Sequence, residues 1–105
     1  MKTQKFELGF RGYIFSRRIE ENLIPQRVQN LVIRDFSERK NILFKLSATE
    51  YKMKNSYIVL KNTLKELKEL DGIIFYSVHM LPKDSLFRYQ IYKKILLKKK
   101  KFILL

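Results

Sequence analysis

The fold is decided within "FRGYIFSRRIEENLIPQRVQNLVIRDF", residues 10–36. Its first seven residues are a short aromatic and β-branched run, the pattern of a buried strand. "RRIEENLI" is a polar loop, and Pro25 sits where a helix begins, because its missing N–H costs nothing in a first turn. Beyond it, Val28, Leu31, Val32 and Phe36 recur at helical spacing, so they are the expected buried face, with Gln29, Asn30 and Arg34 elsewhere on the cylinder. A strand followed at once by a helix sets the rhythm of the chain.

The rhythm repeats. "NILFKLS", residues 41–47, is a near-continuous apolar run suited to burial on both faces. After the loop "ATEYKMKN", Ser56 is a candidate cap for "YIVLKNTLKELKEL", with Tyr57, Leu60, Leu64 and Leu67 as its inner stripe. Asp71-Gly72 closes that helix. "IIFYSV", residues 73–78, is the most strand-like segment. Ser85 can cap a third helix, and "KFILL" is a last strand.

The order β-α-β-α-β-α-β predicts an α/β three-layer sandwich, with a mainly parallel four-stranded sheet of order 2-1-3-4, resolvase-like or flavodoxin-like. Residues 1–105 form a single domain, with 1–9 a loosely ordered N-terminal arm. In that order the crevice opens at the carboxyl ends of strands 1 and 3, where such sheets bind ligands.

Several residues fall at or near that crevice. Ser16, Arg17 and Arg18 end strand 1, and His79 ends strand 3. Thr49 and Glu50 follow strand 2, while Gln26 opens helix 1 and shares a face with Asn30. Arg17 and Arg18 can hold a phosphate or sugar carboxylate, or simply face Glu20 and Glu21 in their own loop. Ser16 lacks a Gly-x-Ser-x-Gly elbow and has His79 as the sole histidine for a base, so a loop serine bonded to backbone is the simpler expectation. Glu50 is the one acid placed to serve as a general base, with His79 as its partner if a ligand lies between them.

Composition bounds the remaining choices. The net charge is +13, which suits a nucleic-acid partner, but 16 of the 23 basic residues are Lys and Ala48 is the only alanine. Lys-rich, Ala-poor usage is what an AT-rich genome gives without selection for binding, and Arg is the better phosphate fork. Six lysines fall among residues 93–101, a solvated helix end or a weak attractor for an anionic membrane surface. An uncovered last strand or apolar helix face would suit a homodimer. The chain lacks cysteine, a P-loop, a dinucleotide fingerprint and any metal-ligand cluster, so no cofactor or metal is expected. "MKTQKFELGF" has no signal-type apolar region, and a cytoplasmic location is expected.

Four motifs, "RGYIFSR", "IPQRVQNLVIRDF", "LSATEY" and "LDGIIFYSVHMLP", resemble the sporadic carbohydrate cluster protein family, small bacterial proteins of surface-polysaccharide gene clusters. The resemblance implies a place in surface-carbohydrate biosynthesis; with the crevice residues beside it, the expectation is an accessory, non-catalytic protein that binds an anionic or phosphorylated sugar, such as a nucleotide sugar, or a biosynthetic partner protein. The plan is also similar to the catalytic domain of serine recombinases, but the residues decide against that chemistry. With Tyr13 as the motif tyrosine, Phe15 stands where an arginine belongs and Arg17 where the serine belongs; Ser16 is one position short. His79 and Met80 replace an Asp-Arg pair, Lys83 a further arginine, and Lys54 or Asn55 the midchain one. A phosphodiester displacement needs those fixed guanidinium donors. A nucleic-acid-binding relative without catalysis, or a small sugar-modifying enzyme using Glu50 and His79, are the alternative functions.

Overall fold

A computed structural model of the chain describes residues 7–105; most of the arm expected over residues 1–9 lies outside them. Four strands, β1 (Phe10–Phe15), β2 (Phe44–Glu50), β3 (Gly72–Phe75) and β4 (Lys101–Leu104), alternate with α1 (Gln26–Arg39), α2 (Ile58–Lys65) and α3 (Ser85–Leu97). All three strand pairings are parallel, and the order is β2-β1-β3-β4, as the alternation of strands and helices predicts. The chain crosses one way from β1 to β2 and the other way from β2 to β3 and from β3 to β4, and the right-handedness general to parallel crossovers then puts the helices on opposite faces. Accordingly α1 covers Phe10, Ile14 and Ile74, while α2 and α3 close over Tyr13, Phe15, Ile73 and Phe75. This is the three-layer α/β sandwich.

Local details depart from the expected pattern in instructive places. On α1 the buried positions are Gln29, Ile33 and Ser37, whereas Val28, Leu31 and Val32 are exposed and Phe36 is half-buried. The Gln29 amide turns the helix: its Nε2 donates to the Phe15 and Ile24 carbonyls, and its Oε1 accepts from the Phe15 N–H. Two buried hydrogen bonds and a part-buried third outweigh a register that would bury a few more methyl groups, because breaking the buried pair would leave the Phe15 backbone unpaired. Apolar spacing alone cannot register that.

β2 begins three residues later than its apolar run suggests, and as an edge strand it is half-buried rather than enclosed, with Leu46 exposed. Its pairing with β1 carries a bulge: Arg11 faces Lys45, but Tyr13 faces Ala48. Gly12 accommodates the extra residue, since a β-carbon there would overlap Ser47 Oγ. The one-residue shift reverses the facing of everything after it. Glu50 thereby pairs with Phe15 and faces the α2/α3 layer together with Tyr13.

The end of the second helix also differs. α2 stops at Lys65 and a 3₁₀ turn (Leu67–Glu69) leads into β3, so Gly72 is a strand residue and not a helix terminus. Glycine is required there for space: a β-carbon would meet the Lys101 carbonyl and the Phe10 ring. Asp71, read as a helix-end residue, accepts hydrogen bonds from the Leu8 and Gly9 N–H groups at 3.1 and 2.8 Å. No helix among the described residues is long and apolar enough to cross a membrane.

Candidate functional site

The carboxyl ends of β1 and β3 open into a crevice, with walls from the segment before α2 and the start of α3. Two adjoining cavities, about 130 and 400 Å³, share Lys54, Asn55, Tyr57, His79 and Lys83. Arg17, Arg18 and Glu20 line the smaller, Asp84 and Phe87 the larger. Sequence order alone brings Arg17, Arg18 and His79 to this rim. Lys54, Asn55, Tyr57 and Phe87 come from segments whose approach depends on how the loop before α2 folds back.

Arg17 is largely committed to structure. Its Nη1 donates to the Tyr51 and Met53 carbonyls at 2.9 and 3.1 Å, and its guanidinium lies over the Phe15 ring at 4.1 Å and the Tyr57 ring at 5.3 Å. Planar, weakly hydrated and rich in donors, it braces the loop after β2 against β1 while leaving its charge in the cavity wall. Arg18 spends one donor on the Glu21 carbonyl, not on an acidic side chain. Lys54 and Lys83 are exposed, with none of the described acids bonded to them. The crevice is cationic.

His79 stands in a 3₁₀ turn (Val78–Met80) capped by the Ser77 hydroxyl, which accepts from the His79 N–H. Its Nδ1 lies 3.1 Å from Glu20 Oε1, both side chains being about half exposed. The contact sets the imidazole beside Glu20, the one glutamate lining the smaller cavity. Tyr57 and Phe87 meet edge to face at 5.6 Å, and Lys61 Nζ lies 5.4 Å from the Phe87 ring centre. They form an aromatic shelf beside the cations.

Glu50 has a different task from the acid/base role its position suggests. The side chain is 1 % exposed. Its Oε1 accepts from the Tyr13 hydroxyl at 2.8 Å and the Leu60 N–H at 3.1 Å. Its Oε2 accepts from the Tyr51 and Val59 N–H groups at 3.0 and 3.2 Å, and from Ser56 Oγ at 3.3 Å. The carboxylate therefore caps α2, the work expected of Ser56, and a negative charge at a helix N-terminus is well placed. Five donors fill its lone-pair sites, leaving none for a substrate proton. Burial, the Glu50 charge and that hydrogen bond push the Tyr13 phenol well above its ordinary value of 10.0.

The other expected site residues lie outside the crevice. Ser16 Oγ donates to the Glu50 carbonyl at 2.7 Å, the backbone-bonded loop serine. Gln26 is exposed at the head of α1, Thr49 pairs with Ile14 inside the sheet, and Asn30 is half-buried with its Oδ1 unpartnered. The amide that binds the strand-1 end is Gln29, three residues after Gln26 and one before Asn30. Among the described residues no cluster of His, Cys, Asp and Glu could hold a metal ion.

A separate cavity of about 470 Å³ sits at the opposite, amino end of the strands, against Glu7, Leu8, Asp71 and Lys99–Lys101. Two acids line it, Glu7 and Asp71, and Asp71 is engaged with backbone N–H groups. The carboxyl-end crevice joins two crossover loops, a histidine and an aromatic shelf, and is the better candidate. Comparison with protein-family models, with curated proteins and with solved structures finds no match to this chain.

Proposed function

We propose that this chain is an accessory, non-catalytic binding protein of bacterial surface-carbohydrate biosynthesis that holds an anionic or phosphorylated sugar in the carboxyl-end crevice, in the cytoplasm and beside a partner enzyme. The pathway comes from the resemblance of the four sequence motifs; the ligand class comes from the crevice. One observation carries the ligand class: Arg18, Lys54, Lys83 and His79 gather beside Tyr57 and Phe87 in one concavity. The Arg18, Lys54 and Lys83 cations recognise phosphate or carboxylate, the imidazole adds a further hydrogen-bonding edge, and aromatic faces stack on a sugar ring or a base. A binding role without turnover is favoured because the buried Glu50 has no free lone pair and Glu20 is held by His79.

Titration with glucose 1-phosphate and UDP-glucose, monitored by thermal shift and calorimetry, tests this. Both should stabilise the protein where glucose does not, and Lys54→Ala with Lys83→Ala should weaken binding at least about tenfold, two exposed charge-assisted contacts being lost. Arg17 is a poor choice for the test because its removal also frees the loop after β2. Affinity unchanged in the double variant overturns the crevice. Tight duplex-DNA binding with a steep salt slope, undisturbed by sugar phosphates, replaces the sugar by nucleic acid.

A further inference from the structure

We infer that the outward face of α3 is a docking surface for an anionic lipid bilayer. α3 buries Ile91 and Ile95 against the sheet, yet its opposite face is not the polar surface that such burial normally leaves. Leu86, Tyr89, Leu96 and Leu97 are 64, 60, 59 and 72 % exposed. At positions i, i+3, i+10 and i+11 they lie along one stripe, with Lys93 at i+7 inside it. Lys94 and Lys98 flank the stripe, and Lys99–Lys101 continue from the helix end.

The layer as a whole shares this charge. α2, which packs beside α3, exposes Lys61 and Lys65, and Lys68 follows in the 3₁₀ turn. The acids on that side are Glu66, Glu69 and Asp84; Glu66 is held by Arg11 at 3.4 Å, and Asp84 Oδ1 caps α3 at the Leu86 N–H. Charge complementarity therefore selects a negative partner. The leucines select among negative partners: apolar side chains of this size add nothing against phosphates and base edges, which call for Arg and stacking aromatics. Against a bilayer they enter the acyl boundary while lysine stems bring their ammonium groups up to the headgroups. A second copy is disfavoured, because it would set two rows of lysines on chains of charge +13 face to face. The surface is distinct from the crevice.

Flotation with vesicles of phosphatidylcholine alone, and with about a third phosphatidylglycerol, decides the matter. Binding should appear with the anionic vesicles, fall as salt is raised, and weaken at least about tenfold in Leu96→Glu/Leu97→Glu. Leu31→Glu alters a leucine 53 % exposed on the opposite layer and should bind as the original chain does. Both variants change exposed positions, and circular dichroism and melting establish that they fold. No binding to anionic vesicles overturns the inference, as does binding that the leucine pair leaves unchanged or that Leu31→Glu abolishes equally. Concentration-dependent dimerisation lost in Leu96→Glu/Leu97→Glu would overturn it in favour of a second copy.

Discussion

On one face of the sheet α2 and α3 close over a cluster that runs from Tyr13 through Leu60 and Phe75 to Ile95; on the other, α1 brings one buried aliphatic residue, Ile33, to cover Phe10, Ile14 and Ile74. Each layer is also pinned near the carboxyl end of a strand by a single buried polar side chain. Glu50 ties β2 and Tyr13 to the first turn of α2, and Gln29 ties α1 to the end of β1. The pins differ in charge. A carboxylate suits a helix N-terminus because every group it meets is a donor, whereas Gln29 meets both donors and acceptors and only an amide offers both. Where apolar burial is extensive the pin orients one helix end; where burial is thin it selects which side of the helix faces inward.

The larger effect should come from the charged pin. Glu50→Ala strips partners from the Tyr13 hydroxyl and from the Val59 and Leu60 N–H groups, and should cost about 3–5 kcal/mol in denaturant unfolding. Hydrogen exchange should show lost protection at Val59 and Leu60, with α1 unaffected. A cost below about 1 kcal/mol would mean that water replaces the carboxylate and that the two pins are not comparable.

Gln29→Leu should cost about 1–3 kcal/mol, since it leaves the Phe15 N–H and carbonyl unpaired but also removes an amide that had to be desolvated. Its signature is conformational: α1 should become free to rotate toward Val28 and Val32, read as new contacts from those methyl groups by NMR. An unrotated helix would show that Ile33 alone sets the facing.

Tyr13→Phe should cost least at neutral pH, about 1 kcal/mol for one buried hydrogen bond. Its pH dependence sharpens the contrast. The phenol is held protonated in the folded chain above its ordinary value of 10.0, chiefly by burial and then by the Glu50 charge. Its contribution is complete below pH 10 and falls as the unfolded phenol ionises above it, by about 1.4 kcal/mol per pH unit. The gap between the original chain and Tyr13→Phe should therefore narrow above pH 10. A constant gap would mean that Tyr13 ionises while folded.

Much of this architecture is legible in the sequence, because strand order and layering follow from alternation and handedness, which are local or universal. Short apolar runs locate β1, β3 and β4, and Pro25 and the 3.6-residue spacing locate α1. The facing of α1 is not legible, since it depends on Gln29 meeting a strand 14 residues away. Nor is the role of Glu50, because a bulge opposite Gly12 decides which side of the sheet the carboxylate enters. For the crevice, strand order alone places Arg17, Arg18 and His79 together. The aromatic shelf of Tyr57 and Phe87 joins two helices through tertiary packing, which periodicity reads only as core.

The all-parallel order also fixes when the sheet can assemble. Among the described strands β1 is made before its neighbours, Phe44–Glu50 and Gly72–Phe75, so it has no hairpin partner and waits for the crossover helices that follow it. Loop-closure entropy must be met before either ladder rewards it, which makes nucleation slow relative to an antiparallel meander of the same size. Until then "GYIFS" is an unpaired aromatic strand on the ribosome, and the arginines that follow it act as gatekeepers against its pairing with another nascent chain.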